Sequence, residues 1–156
     1  MTQHYIDETT LEVFGYEARD GLRIMTDGEF ELFRNPPKTI EQAKADKLIT
    51  IEADYQTAIT ADITYLTKVI SCDKDSLDLM AQNLAIGSVP VGFYWRTADN
   101  TDLPMTYAEL QGLGSAIQTR GLPLFTNKVN RNIAVYTFDE TAYPTLADAI
   151  LAIEAI

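Results

Sequence analysis

Asn35-Pro36-Pro37 is the feature that most limits how this chain can fold. Each proline lacks an N–H and pushes the residue before it into extended backbone, so neither a helix nor a sheet strand runs through the triplet. The chain therefore divides into a head at residues 1–35, a linker at 36–38 and a body at 39–156. A piece as short as 1–35 cannot build a core of its own, so its apolar side chains must dock on the body or on another chain. The chain as a whole has no such difficulty, since one of about 150 residues buries roughly 68–70% of its unfolded surface without disulfides or metals.

Within the head, Tyr5-Ile6 and Leu11 to Tyr16 are short, aromatic and β-branched, and the polar stretch Asp7 to Thr10 between them predicts a hairpin. Arg19-Asp20-Gly21 carries a second turn signal, with Leu22 to Met25 as a third strand. Thr26-Asp-Gly-Glu29 has the spacing of a capping box and predicts a short helix over Phe30 to Phe33, weakened by Gly28.

In the body, Ile40, Ala43, Leu48, Ile51, Tyr55, Ala58 and Ile59 recur at helical spacing, predicting a helix from about 39 to 60. Thr64 to Ile70 reads as one strand. A second helix begins at Asp73 with Leu77, Met80, Ala81 and Leu84 inward, and stops at Gly87. Val89 to Trp95 and Leu103 to Met105 flank a polar tip and predict a β-hairpin near 91–105. Thr106-Tyr-Ala-Glu109 opens a third helix, which Pro123 should kink or split. A further stretch, Phe125 to about Phe138, keeps Val129, Ile133 and Tyr136 on one face, and a last short helix covers Leu146 to about Ile153. The fold class is α+β: a small β-rich N-terminal head followed by a mainly helical body with one β-hairpin.

Charge then narrows the partners. Twelve Lys plus Arg stand against twenty-three Asp plus Glu, a formal charge of −11. Residues 1–35 hold three bases and eight acids, 36–90 five and eight, and 91–156 four and seven, so no segment hides a basic patch. Nucleic acid and anionic membrane are not expected partners. Cys72 is the only cysteine and His4 the only histidine, which leaves no Cys/His metal site and no Ser-His-Asp or Cys-His centre away from the N-terminus. No cofactor or metal is expected. The opening residues have neither a basic nor an apolar signal region, so a cytosolic protein is expected.

Several residue groups invite a chemical role. Asp73, Asp75 and Asp78 fail the calcium-loop pattern, because a loop opening at Asp73 has Asp78 and Leu84 where Gly and Glu belong. They suit a helix N-terminus better. Asp99 and Asp102 could act as an acid/base pair, but a hairpin tip gives such a pair no walls and turn chemistry explains them, so no pair is nominated for a glycan hydrolase built on carboxylates. Gly112-Leu-Gly114 lacks the Lys-Ser/Thr of a phosphate loop. Aromatic residues remain. Tyr5, Phe14, Tyr16, Phe30 and Phe33 in the head, then Trp95 and Arg96 in the body, are the candidate partner-binding residues. The chain reads as a binding or structural protein, not an enzyme.

A resemblance sharpens that reading. Ile24-Met-Thr-Asp-Gly-Glu-Phe-Glu-Leu-Phe-Arg-Asn-Pro-Pro-Lys-Thr39, after its short β-rich opening, resembles tailed-phage tail-fibre assembly proteins. The body is similar to a phage-tail domain family of unassigned function, through Trp95-Arg-Thr-Ala-Asp99-Asn100, Leu103-Pro-Met-Thr106-Tyr-Ala-Glu109-Leu110 and Lys128-Val-Asn-Arg-Asn-Ile133. The likeness spans about residues 22 to 153 and carries no catalytic residue. It implies an assembly chaperone whose partner is a trimeric tail-fibre protein, acting in the host cytoplasm during assembly. The alternative is a structural component retained in the virion tail, at the tail tip or baseplate. Self-association is left open.

Overall fold

Thr26 and Glu29 cap a helix as their spacing predicts, each side chain meeting the other's backbone N–H: Glu29 N donates to Thr26 Oγ1 (3.3 Å) and Thr26 N to Glu29 Oε2 (2.8 Å). The computed structural model describes residues 4–15 and 21–156. The chain forms two compact units, the first ending at Thr39 and the second running from Ile40 to Ile156.

In the first unit, β1 (His4–Asp7), β2 (Val13–Gly15) and β3 (Leu22–Ile24) form an antiparallel sheet in the order β2-β1-β3. Asp7 builds the first turn, its carboxylate accepting from the N–H groups of Thr9 (2.8 Å) and Thr10 (3.2 Å). β3 lies on the far edge of β1, with Tyr5 opposite Ile24, rather than beside β2. Tyr16, Arg19 and Asp20 lie outside the described residues. α1 (Asp27–Arg34) follows, so Gly28 does not stop a helix that a full capping box starts. Arg23 of β3 ties sheet to helix. Its guanidinium donates to both Glu29 oxygens (2.8 and 2.5 Å) and to Glu8 (2.6 Å).

The second unit contains α2 (Ile40–Ile59), β4 (Ile63–Tyr65), β5 (Lys68–Ile70), α3 (Lys74–Ile86), β6 (Tyr94–Arg96), β7 (Asp102–Pro104), α4 (Tyr107–Tyr136), a short 3₁₀ turn (Glu140–Ala142) and α5 (Leu146–Glu154). Two apolar clusters hold it. Ile70, Met80, Trp95, Met105, Leu110 and Leu113 join both hairpins to α3 and α4. Ile40, Ala43, Ala149 and Ile153 join α2 to α5. Each fully buried Leu or Ile stabilises the fold by about 2 kcal/mol. Cys72 is fully buried, a small apolar side chain as expected.

Three expectations are corrected. Thr64 to Ile70 is a hairpin, not one strand, so the body has two hairpins where one was expected. Leu66 (φ 48°) and Thr67 (φ 66°) make its turn without the Asn-Gly that would announce it. α4 runs unbroken through Pro123, because contacts with α2 grip it on both sides. Arg120 bonds the end of α2, while Lys128 and Arg131 pair with Glu52 (2.5 Å) and Asp54 (3.0 Å). On α3, Ala81 faces outward. On α4, Val129, Ile133 and Tyr136 share one face as expected, and it is the outer one, with Val135 buried on the other side.

The paired glycines of α4 have a packing reason. A Cβ at Gly112 would sit 2.2 Å from the Tyr65 hydroxyl, which donates to the Glu109 carbonyl (2.9 Å). A Cβ at Gly114 would reach 3.0 Å from Leu84 of α3.

Candidate protein-binding surfaces

Four of the acidic candidates serve local structure, Asp78 by pairing with Lys74. Asp73 is the N-cap of α3, accepting from Ser76 N (2.9 Å). Asp99 organises the β6–β7 tip, accepting from the hydroxyls of Thr97 (2.5 Å) and Thr101 (2.8 Å), with Lys68 at 3.6 Å. Those bonds, Thr97 first, hold its carboxyl down at about 2. Asp102 pairs with Arg96 (2.7 Å). Among the described residues no group of three His, Cys, Asp or Glu side chains is placed to hold a metal. No helix among them is long and apolar enough to cross a membrane.

The head rings divide by face. Directly opposed strand residues point the same way, so Phe14, Tyr5 and Ile24 form one row across the sheet. His4 points to the other face and stacks on Phe30 of α1, ring centroids 4.2 Å apart. The Tyr5 row therefore lies on the face turned away from α1. Phe30 is further engaged by the Arg34 guanidinium, 5.7 Å from its centroid. Phe33 is the most exposed of the four described rings, at 55%.

In the body, the expected pair separates. Trp95 is only 5% exposed and packs in the larger core cluster. Strand alternation turns Tyr94 and Arg96 outward instead. Beside them, Ser76 and Leu79 of α3, the loop Pro90-Val91-Gly92 and strand β6 enclose a largely open cavity of about 430 Å³. Gly92 (φ 80°) closes the turn in which Phe93 N donates to Pro90 O (3.1 Å), leaving Val91 fully exposed as one wall.

α4 offers the longest apolar surface. Its seam toward the rest of the unit runs through Leu110, Leu113, Ile117, Arg120, Leu124, Lys128, Arg131 and Val135, all buried or half-buried. That is a three-four spacing, with bases in the second half. Lys128 lies over the Tyr55 ring (4.6 Å), and Arg131 also donates to the Ile156 carbonyl (3.1 Å). The apolar residues of that half, Leu122 (66% exposed), Phe125, Ile133 and Tyr136 (70%), line up outside with half-buried Val129 between them.

A family model described as a domain of unknown function, DUF4376, matches residues 42–153. The chain belongs to the DUF4376 family. The DUF4376 region runs from the first turn of α2 to the last turn of α5 and contains the β6–α3 cavity and the outer stripe of α4. The head sheet and α1 lie before it. No curated protein and no solved structure matches the chain. Sequence reasoning missed Leu79, Val91, Leu122 and Phe125. The signal for the last two was present: α4 has two sets of residues at helical spacing, and only the basic set finds acids on α2.

Proposed function

We propose that the protein is a tail accessory protein of a phage or prophage, an assembly chaperone that binds a trimeric tail-fibre protein in the host cytoplasm. The observation that carries this is the outer stripe of α4. Leu122, Ile133 and Tyr136 stay in water over about four turns, with half-exposed Phe125 meeting the Tyr55 ring of α2 at the stripe's edge (6.3 Å), while basic side chains take the seam against α2. An apolar row of that length marks a surface made for a protein partner. The stretch from Ile24 to Thr39, with its capped helix and Pro-Pro break, supports the fibre as that partner through its resemblance to fibre assembly proteins.

The test is co-expression with the fibre reading frame next to this gene. Soluble trimeric fibre is expected only when the protein is present, and Leu122→Asp with Tyr136→Asp should abolish the effect. Soluble trimeric fibre in its absence would remove the reading. Finding the polypeptide at stoichiometric level in purified particles would point instead to a retained tail-tip or baseplate subunit.

A further inference from the structure

We infer that the groove between β6 and α3 is a slot for an extended strand of a second protein, one with alternating aliphatic side chains and no net negative charge. This rests on reading the chain as a protein-binding one, and it names a contact distinct from the α4 stripe.

The first observation is an open sheet edge. β6 has β7 as its only partner strand among the described residues, paired Tyr94 with Pro104, Trp95 with Leu103 and Arg96 with Asp102. Met105 N donates to Phe93 O (3.1 Å) and Thr97 N to Thr101 O (3.0 Å), which makes 93, 95 and 97 the positions bonded to β7. The N–H and C=O groups of Tyr94 and Arg96 therefore point the other way, to an edge that β5 meets only beyond Arg96, where Ala98 N donates to Val69 O (2.8 Å). Pro104, opposite Tyr94, costs the ladder nothing for the same reason.

The second observation is the cavity itself. Its walls are β6, the Pro90–Gly92 turn and α3, with no residue of β7, so it lies on the free-edge side of β6. Leu79, Val91 and Tyr94 are exposed apolar side chains around it. An unpaired edge beside an apolar pocket is the arrangement that receives an added strand, with main-chain bonds giving affinity and the pocket selecting alternate side chains.

The occupant's chemistry follows from both. Outward N–H and C=O groups two residues apart match another extended backbone, whereas a helix has spent its own groups internally. Charge excludes an acidic strand. Asp73, Asp75 and Asp78 begin the neighbouring helix, and the two nearby bases are already held, Lys74 by Asp78 and Arg96 by Asp102.

The test is panning of a displayed library of random dodecapeptides against the full chain, followed by calorimetry with the selected peptides. Enriched peptides should alternate aliphatic residues and carry zero or positive net charge. Tyr94→Pro removes the edge N–H without touching the β7 ladder and should weaken binding about tenfold. Tyr94→Ala should weaken it less. Leu79→Asp, on the exposed side of α3, should abolish binding and covers the case in which Tyr94→Pro does not fold. No enrichment, peptides that are helical, or affinity unchanged in the variants that fold would overturn the inference. The panning uses no fibre, so peptide binding at β6 alongside a fibre that folds alone removes the chaperone reading and keeps the slot.

Discussion

Arg120 holds the C-terminal end of α2 through the carbonyl of Ile59, its Nη2 donating across 2.9 Å. Nη1 extends the grip to the carbonyls of Ala61 (2.5 Å) and Asp62 (3.3 Å). α2 has no base in its own last turn, so a side chain from α4 satisfies carbonyls that a helix end leaves open. Arg120→Ala is expected to destabilise the protein by about 1–3 kcal/mol, seen as a lower midpoint in urea. Arg120→Lys should recover only part of that, because an ammonium cannot span three carbonyls. An unchanged midpoint in the Ala variant would show that the cap is dispensable.

Gly112→Ala is a test with an informative sign. In an exposed helix the change stabilises by about 1 kcal/mol. Here the added methyl meets the Tyr65 hydroxyl at 2.2 Å, and a loss of about 1–3 kcal/mol is expected. Tyr65→Phe removes the obstructing oxygen, so the double variant should lose clearly less than the two single losses combined. Additive losses in thermal denaturation would contradict the packing account.

The β4–β5 turn carries strain that can be relieved. Leu66 and Thr67 both sit at positive φ, a region that L residues with bulky or branched side chains rarely occupy. Replacing them together by Asn-Gly should raise stability by about 1 kcal/mol, since those residues suit a turn with two positive φ values. A lowered melting temperature would mean that Leu66 or Thr67 packs where the substitution cannot follow.

Acid should loosen the two units through different carboxylates. Glu29 is held at about 2 against an ordinary 4.5, chiefly by the Arg23 bonds and then by the Thr26 backbone. Asp99 is also held at about 2 against 3.8, by Thr97 and Thr101 and then Lys68. Both are depressed on folding, so their contribution is fully present above about pH 4.5 and fades as pH falls toward 2. Carboxyl carbon shifts followed by NMR should place both midpoints near 2. Midpoints near 4 would show that the capping box and the tip network do not persist in solution.

Legibility in the sequence tracked the range of the interaction involved. The boxes at Thr26–Glu29 and Thr106–Glu109, the Asp73 cap and the Gly87 stop (φ 82°) were all readable. The single strand drawn through Leu66 and Thr67 failed because its turn uses residues that do not advertise one. Trp95 failed as a contact residue because nothing in β6 alone says which parity faces the core.

Taken by itself, the sequence determined where the capped helices begin, since a cap closes within three or four residues and needs no other part of the chain. It also determined the α+β class. Only tertiary structure decided which face of α4 goes inward. There the inward residues include three bases, and Arg120 and Arg131 find their partners, Ile59 and Asp54, 61 and 77 positions away in the chain. Long aliphatic stems let Lys128 and Arg131 cover α2 while their charges meet acids, and apolar Leu122, Ile133 and Tyr136 are left outside. Periodicity ranks residues by hydrophobicity; burial is set by what each one meets.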